Sequence, residues 1–173
     1  MNAQRLRWQP AYIGIGSNLD DPCDHVSKAI AELKKMQHCV VTGVSSIYRS
    51  APMGPQDQAD FINAAVAMLT QKTPQQLLDA LQIIEDSHGR RRDGEHWGPR
   101  TLDLDLLVFG SLRISDAGLT VPHPGIPERN FVLLPMYELA PQLMVPGMGT
   151  IAALTGAVPG PDDGIEKISE DSS

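Results

Sequence analysis

The sequence has few aromatic residues, few cysteines and no long hydrophobic run. Phe, Trp and Tyr make up 5% of the 173 residues, so we expect a core of mainly aliphatic side chains. The only cysteines, Cys23 and Cys39, lack the spacing of metal ligands. No secretory signal is predicted at the start, so both cysteines are expected to be free thiols. No apolar run approaches the ~18 residues that a membrane span needs. We therefore expect a cytoplasmic protein that does not bind membranes.

Positive charge is also scarce. Fourteen Lys and Arg residues stand against 21 Asp and Glu residues, which gives a net charge of −7. A mainly electrostatic grip on nucleic acid is therefore disfavoured. The length and the 42% hydrophobic content fit one globular domain. We expect this domain to span residues 11–158, between a flexible N-terminal extension (1–10) and an acidic disordered tail (159–173).

The pattern of apolar residues and breakers predicts a short series of strands and helices. Asp21-Pro22 and the capping box of Thr73 and Gln76 are typical helix starts. Strands are predicted over 11–16, 39–48, 61–70, 101–109 and 112–115, and helices after Asp21, after Thr73 and over 129–140. The order β-α-β-β-α-β with a C-terminal extension predicts an α+β, ferredoxin-like sandwich, with the helices on one face of an antiparallel sheet.

Two acidic residues in the last long strand are the most informative feature. Asp103 and Asp105 are two residues apart, so they share a face of the strand, ~6.6 Å apart along the backbone. Leu102, Leu104 and Leu106 fill the opposite face. Neighbouring carboxylates repel each other, and a pair of bound dications would remove that conflict. The alternative is an exposed strand face with solvated aspartates.

An arginine-rich loop precedes these aspartates. Arg90, Arg91, Arg92 and Arg100 lie there with Trp97, among several glycines. Phosphoryl transfer depends mainly on positioning and charge neutralisation, and the guanidinium fork suits phosphate oxygens. The alternative is a solvated basic loop on an acidic protein.

A second group of polar residues is less specific by itself. His123 follows Val121-Pro122 and precedes Arg129, and Gln82 and Glu85 share the polar face of the second predicted helix. Taken alone, these are a structural turn and an ordinary polar helix surface. The sequence contains no dinucleotide fingerprint, P-loop, zinc cluster or nucleophile elbow.

Several segments together resemble one enzyme family. They are Tyr12–Asn18, Gly54–Gln58 with Phe61–Asn63, Arg90–Arg92, Trp97–Asp105, and Val121–His123 with Arg129 and Phe131. Over about residues 11–155 the sequence is similar to the 6-hydroxymethyl-7,8-dihydropterin pyrophosphokinases of folate biosynthesis. The resemblance implies transfer of pyrophosphate from ATP to the hydroxymethyl group of the dihydropterin, which releases AMP.

The resemblance also implies a set of site residues. It implies two Mg²⁺ ions at Asp103 and Asp105, and a catalytic group of Arg90, Arg92, Trp97, Asp103 and Asp105. The implied ATP contacts are Gln82, Glu85, Arg92, Arg100, Leu106, Thr120, His123 and Arg129. The implied pterin contacts are Ser50, Ala51, Met53, Phe61, Asn63, Trp97, Asp103 and Phe131. The expected partners are these small molecules, without nucleic acid or membrane, and the expected state is a monomer.

Two other functions fit part of this pattern. A metal-dependent phosphohydrolase would use the same two aspartates and release phosphate or pyrophosphate without a pterin. A ferredoxin-like ligand-binding or regulatory module would bind a small molecule without magnesium, but it would leave the paired aspartates unexplained. An RNA-binding module of this topology is disfavoured by the acidity and by the lack of strand aromatics.

Overall fold

The computed structural model of the chain describes residues 7–52, 57–89, 101–157 and 164–168. In chain order the elements are β1 (Gln9–Ser17), α1 (Pro22–Lys34), β2 (Cys39–Val44), β3 (Ile47–Ser50), β4 (Phe61–Thr70), α2 (Pro74–Ser87), β5 (Asp103–Phe109), β6 (Ile114–Asp116), β7 (Leu119–Val121), a 3-10 turn (Ile126–Glu128), α3 (Asn130–Leu139), β8 (Met144–Val145), β9 (Gly149–Thr150), α4 (Ile151–Ala157) and β10 (Glu166–Ile168).

The main sheet is antiparallel and has the strand order β10-β3-β4-β1-β5, with β2 also paired to β4. If β2 and β3 are counted as one broken strand, this is the order of a ferredoxin-like sheet. The predicted α+β fold class is therefore confirmed. The long strands β1 and β4 form the centre, and β5 lies at one edge of the sheet.

The first face of the sheet is covered by α1 and α2. Both helices start where the sequence predicts: Asp21 caps α1, and Thr73 and Gln76 form the capping box of α2. Capping of this kind satisfies backbone N–H groups that the first helical turn leaves unpaired. Aliphatic side chains of both helices, such as Leu33 and Leu81, are fully buried against this face and form the first hydrophobic core with the strands.

A second hydrophobic core lies on the opposite face, where α3 and α4 pack. The sequence predicts helices on one face only, and this part of the prediction is wrong. A register shift between β1 and β5 lets the consecutive residues Leu107 and Val108 both join the second core. They pack there with Leu133 and Met136 of α3. The chain after β5 therefore builds a third layer onto the βαββαβ sandwich.

The predicted strand over 39–48 is in fact two strands. It breaks at Ser45, whose N–H donates to the carbonyl of Ala65 at 2.9 Å. The Ser45 hydroxyl in turn accepts the N–H of Ala65 at 2.8 Å. A side chain that bonds the neighbouring backbone competes with the regular ladder, so the strand ends there and restarts at Ile47.

The acidic tail is the other correction. The prediction of disorder is wrong for Glu166–Ile168, because these residues form β10 and pair with Ile47–Arg49 of β3. The predicted extension also overlaps the sheet, since β1 begins at Gln9. The domain limits otherwise stay a prediction.

Two simpler predictions can be compared directly with the structure. Cys23 and Cys39 are both free thiols, as expected, with the first exposed and the second buried. Within the described ranges, every helix is too short or too polar to cross a bilayer.

Candidate active site

The paired aspartates lie at the start of β5. Asp103 and Asp105 are both half-buried, while Leu102, Leu104 and Leu106 between and beside them are buried in the first core. The predicted separation of carboxylates and leucines onto opposite faces is thus confirmed. Because the strand alternates strictly here, the sheet directs both carboxylates away from the first core.

Glycines of β1 lie beside the aspartates. Gly16 pairs with Asp103 and Gly14 pairs with Asp105. On its other side Gly16 pairs with Asn63 of β4. A Cβ atom at Gly16 would lie 3.5 Å from Asn63 Oδ1 and 3.9 Å from Phe61 Cδ1. A side chain at this position would therefore pack against Asn63 and Phe61, on the strand next to Asp103, and glycine leaves that space unfilled.

A buried polar pair continues this row across the sheet. Asn63 and Ser50 are each 3% exposed, and the Asn63 amide donates to Ser50 Oγ at 2.7 Å. Phe61 is half-buried beside them, and Ala51, which follows Ser50, is exposed. The structure thus brings Ser50, Phe61 and Asn63 of the predicted pterin contacts together with Asp103.

His123 is fixed beside β5 by backbone contacts. Its N–H donates to the carbonyl of Leu107 at 2.8 Å, and its Nδ1 accepts the N–H of Gly125 at 3.0 Å. In the neutral ring the proton therefore sits on Nε2. Burial, and then the charge of Arg129, lowers the pKa of His123, while the charge of Asp103 acts in the opposite direction.

Arg129 lies against the turn that follows His123. A Cβ atom at Gly125 would lie 2.6 Å from Arg129 Nε and 2.7 Å from its Cζ. The guanidinium carbon is also 5.8 Å from the centre of the Phe131 ring, within the range of a cation–π contact. The turn thus holds an imidazole N–H and a guanidinium near one another, which suits an anionic ligand.

The polar face predicted for α2 is not uniformly exposed. Gln82 is half-buried, but Glu85 is only 2% exposed, and its Oε2 accepts the backbone N–H of Leu104 at 3.0 Å.

The two other predicted ATP contacts lie on strands. Leu106 points its side chain into the first core, opposite the aspartates. Thr120 is exposed on β7, paired with Ser115 of β6.

Sequence reasoning did not assign a role to two polar residues at the end of β1. Ser17 is fully buried, and its hydroxyl donates to the carbonyl of Thr101, just before β5. Asn18 is 3% exposed, and its amide donates to Gln58 Oε1 at 2.9 Å and to the carbonyl of Ala59 at 3.1 Å. The signal that could have found them is a polar pair directly after an alternating buried strand.

Several predicted residues cannot be placed. Met53, Arg90, Arg92, Trp97 and Arg100 lie outside the described residues. Their roles stay predictions from the sequence.

The metal prediction can be compared with the donors present. Within the described ranges, no group of three or more His, Cys, Asp or Glu side chains is arranged to hold a metal ion. Magnesium, however, is usually held by one or two carboxylates together with substrate phosphates and water. Asp103 and Asp105, half-buried on one strand face, fit that mode of binding.

Comparison with known proteins gives a consistent result. The family model of the 7,8-dihydro-6-hydroxymethylpterin-pyrophosphokinases (HPPK) matches residues 12–141. The chain is 41% identical over 144 residues to the 2-amino-4-hydroxy-6-hydroxymethyldihydropteridine pyrophosphokinase of Haemophilus influenzae, which covers 83% of this chain and 89% of the relative. It is 45% identical over 133 residues to the enzyme of the same name from Bacillus subtilis, which covers 77% and 79% of the two chains.

Solved structures agree at the level of the fold. The crystal structure of Plasmodium falciparum HPPK-DHPS A437G with pteroate superposes with a TM-score of 0.68 at 12% sequence identity. The match covers 89% of this chain and 44% of the other, so this chain spans less than half of that longer protein. The family model covers most of the chain, including every described aspartate, histidine and arginine of the site. The chain therefore belongs to the 7,8-dihydro-6-hydroxymethylpterin-pyrophosphokinase family.

Proposed function

We propose that this chain transfers the pyrophosphoryl group of ATP to the hydroxymethyl group of 6-hydroxymethyl-7,8-dihydropterin, a step of folate biosynthesis. The products are AMP and the pterin diphosphate. The observation that carries the proposal is the row Asp103, Gly16 and Asn63 across three neighbouring strands. This row combines the carboxylate of Asp103, a position without a side chain at Gly16 and the buried amide of Asn63. Such a surface suits a flat polar ring next to a phosphate.

The pterin side of the site is formed by β3 and β4. The Asn63 side chain is held by Ser50, so its amide has a fixed orientation and can read the donor and acceptor edge of the ring. Phe61 beside Gly16 and Phe131 beside Arg129 supply aromatic surface for stacking. We assign Ala51 and Met53 to the same pocket on the family resemblance alone.

The nucleotide side is formed around β5 and the turn after β7. His123 presents its Nε2–H and Arg129 its guanidinium, and both donors suit phosphate oxygens. Because the lowered pKa keeps His123 neutral near pH 7, it donates one hydrogen bond there without adding a full charge. The family resemblance completes this side in the proposal with Gln82, Arg90, Arg92, Trp97, Arg100, Thr120 and Leu106. Because the side chain of Leu106 lies in the first core, Leu106 would contribute through its backbone.

Asp103 and Asp105 would hold two magnesium ions. Such ions neutralise the charge that develops on the transferred phosphates and align the reacting oxygens. The protein contributes the spacing of the two carboxylates, because the period of the β-strand fixes it. Strand β1 pairs with β5 at both aspartates and holds them in register. The proposal also includes a monomeric state and a cytoplasmic location, and the free thiols at both cysteines are consistent with that location.

One assay tests the proposed function. The protein is mixed with ATP, magnesium chloride and 6-hydroxymethyl-7,8-dihydropterin, and the nucleotides are separated by chromatography. We expect AMP to form in equal amount with the pterin diphosphate, and only when the pterin is present. Formation of ADP, or release of phosphate or pyrophosphate without the pterin, would show a different kinase or a phosphohydrolase.

A further inference from the structure

Glu85 is a buried carboxylate with an unusual partner. It lies in the last turn of α2 and is 2% exposed. Its Oε2 accepts the main-chain N–H of Leu104 at 3.0 Å. A buried carboxylate is costly unless hydrogen bonds compensate its loss of water, so its retention at this position calls for a physical reason.

The reason lies in the position of β5. This strand is at the edge of the main sheet, with β1 on one side only. In an antiparallel edge strand, every second residue turns its N–H and C=O away from the neighbouring strand. Leu104 is such a residue, because its N–H meets α2 instead of β1. Glu85 therefore replaces the missing strand at this one point.

Leu104 is also the residue between the two aspartates. Its backbone joins the Cα atoms of Asp103 and Asp105 and so sets the distance between them. Its side chain is buried in the first core, at 3% exposure. On the β1 side, Gly16 and Gly14 hold the flanking residues in register. On the α2 side, the described contact to this stretch of backbone is the bond from Glu85.

We infer that Glu85 is a positioning residue, which fixes the distance between the carboxylates of Asp103 and Asp105 through the backbone of Leu104. This inference rests on the proposed function, and it differs from the ATP contact that the resemblance implies for Glu85. The positioning role requires an oxygen at the place of Glu85 Oε2 that accepts the Leu104 N–H, and it does not require the negative charge of the carboxylate. Removing such a support for metal-holding side chains typically costs ~10- to 100-fold in metal affinity or activity.

The test compares two variants with a matched control. Glu85→Gln keeps an oxygen at the same place but removes the charge, and Glu85→Ala removes the oxygen. Asp79→Asn, an exposed site on the same helix, removes one charge without touching β5. For each protein we would measure amide hydrogen exchange at Leu104 by NMR, the Mg²⁺ dependence of turnover, and KM for the pterin.

For Glu85→Ala we expect loss of protection at Leu104, an increase of ~10-fold or more in the Mg²⁺ concentration for half-maximal turnover, and little change in KM for the pterin. Glu85→Gln should keep the protection and stay within about threefold of the parent and of Asp79→Asn. If the Mg²⁺ concentration for half-maximal turnover rises as much in Glu85→Gln as in Glu85→Ala while the Leu104 N–H stays protected, the carboxylate contacts the ligand itself and the inference is wrong.

Two further outcomes are separable. If Glu85→Ala does not fold, Glu85→Gln still decides between an acceptor and a charge, because it leaves the packing almost unchanged. If the parent protein produces no AMP at all, the proposed function fails. The exchange of the Leu104 N–H would in that case still show whether Glu85 holds β5, and unchanged exchange in Glu85→Ala would overturn the positioning role.

Discussion

At the scale of the single residue, the site depends on side chains that are present and on one that is missing. Asp103 and Asp105 could be identified from the sequence because a spacing of two residues places them on one face whatever the rest of the fold does. The burial of Glu85 and its bond to Leu104 could not be predicted, because they depend on an edge strand that the sequence of α2 does not reveal. Gly16 falls between these cases, since only strand pairing shows that it faces Asp103 and Asn63.

The aspartates give the first prediction. Asp103→Asn or Asp105→Asn should reduce turnover by ~100-fold or more, because the hard oxygen ligands for the dications are lost. Thermal stability without magnesium should change little, since the amide of asparagine has the same size and shape as the half-buried carboxylate. Asp116→Asn on the exposed strand β6 is the control. Turnover and melting temperature are the measurements, and an active Asp103→Asn enzyme would refute the metal role.

Gly16 gives the second prediction. Gly16→Val adds a branched side chain next to Asn63 and Phe61, in space that glycine leaves unfilled. Because β-branched residues suit strands, we expect a change of no more than ~1 kcal/mol in the free energy of unfolding, but a loss of ~10-fold or more in pterin affinity. Titration calorimetry with the pterin measures the effect. Nucleotide affinity in the same variant is the internal control, and an equal loss there would argue for general distortion.

His123 gives a prediction on pH. Its pKa in the folded protein is below the usual value near 6.5, so the unfolded chain binds more protons as the pH falls through that value. Its neutral form thus favours the native state, and stability should fall as the solution is acidified from about pH 7 toward the lowered pKa. His123→Asn keeps an acceptor near Gly125 but does not titrate. Urea unfolding at pH 7.5 and 5.5 should show a smaller loss for this variant, and parallel losses would contradict the assignment.

At the scale of the element, the turn after β7 is as important as the strands. It carries three residues that are each held by a different contact. His123 is held by a backbone bond to β5, Gly125 by a bond to the imidazole of His123, and Arg129 by close packing on Gly125. Elements with strong caps, such as α1 and α2, could be predicted from sequence nearly to the residue. This turn could not, because its shape depends on contacts with β5.

Gly125 tests that turn. Its backbone φ of −80° is open to alanine, but the new Cβ would lie within 2.7 Å of the Arg129 guanidinium, which must then move. For Gly125→Ala we expect KM for ATP to rise several-fold while the free energy of unfolding changes by less than ~1 kcal/mol. Gly156→Ala in α4 has open space around its Cβ and is the control. It should stabilise α4 slightly and leave KM unchanged.

At the scale of the whole molecule, the sequence predicts the βαββαβ sandwich but not the layer on the opposite face. The apolar residues of α3 are arranged nearly all round the helix, so their pattern does not say which surface they cover. The prediction of disorder for the tail fails at residues 166–168 for a related reason. Three residues with little apolar character become ordered only because β3 offers an edge, and that partner is more than a hundred residues away in the chain.

The tail gives the last prediction. A chain that ends at Val158 loses β10, and with it the backbone pairing to β3 and the contact of Ile168 with the first core. We expect a fall of a few degrees in melting temperature and a higher KM for the pterin, because β3 carries Ser50. By contrast, Lys167→Gln should have little effect, since exposed ion pairs such as Lys167–Glu138 at 3.9 Å contribute little. A shortened chain with unchanged stability would show that β10 is dispensable.

The alternation along β5 has a consequence for how chains of this kind can vary in length. Residues added to or removed from the connections on either side of the strand leave its inward and outward faces as they are. A single residue inserted between Leu102 and Asp103 would instead turn both acids into the hydrocarbon interior and both leucines toward water. Natural or engineered insertions are therefore expected to be absent from this stretch, even where neighbouring segments differ widely in size.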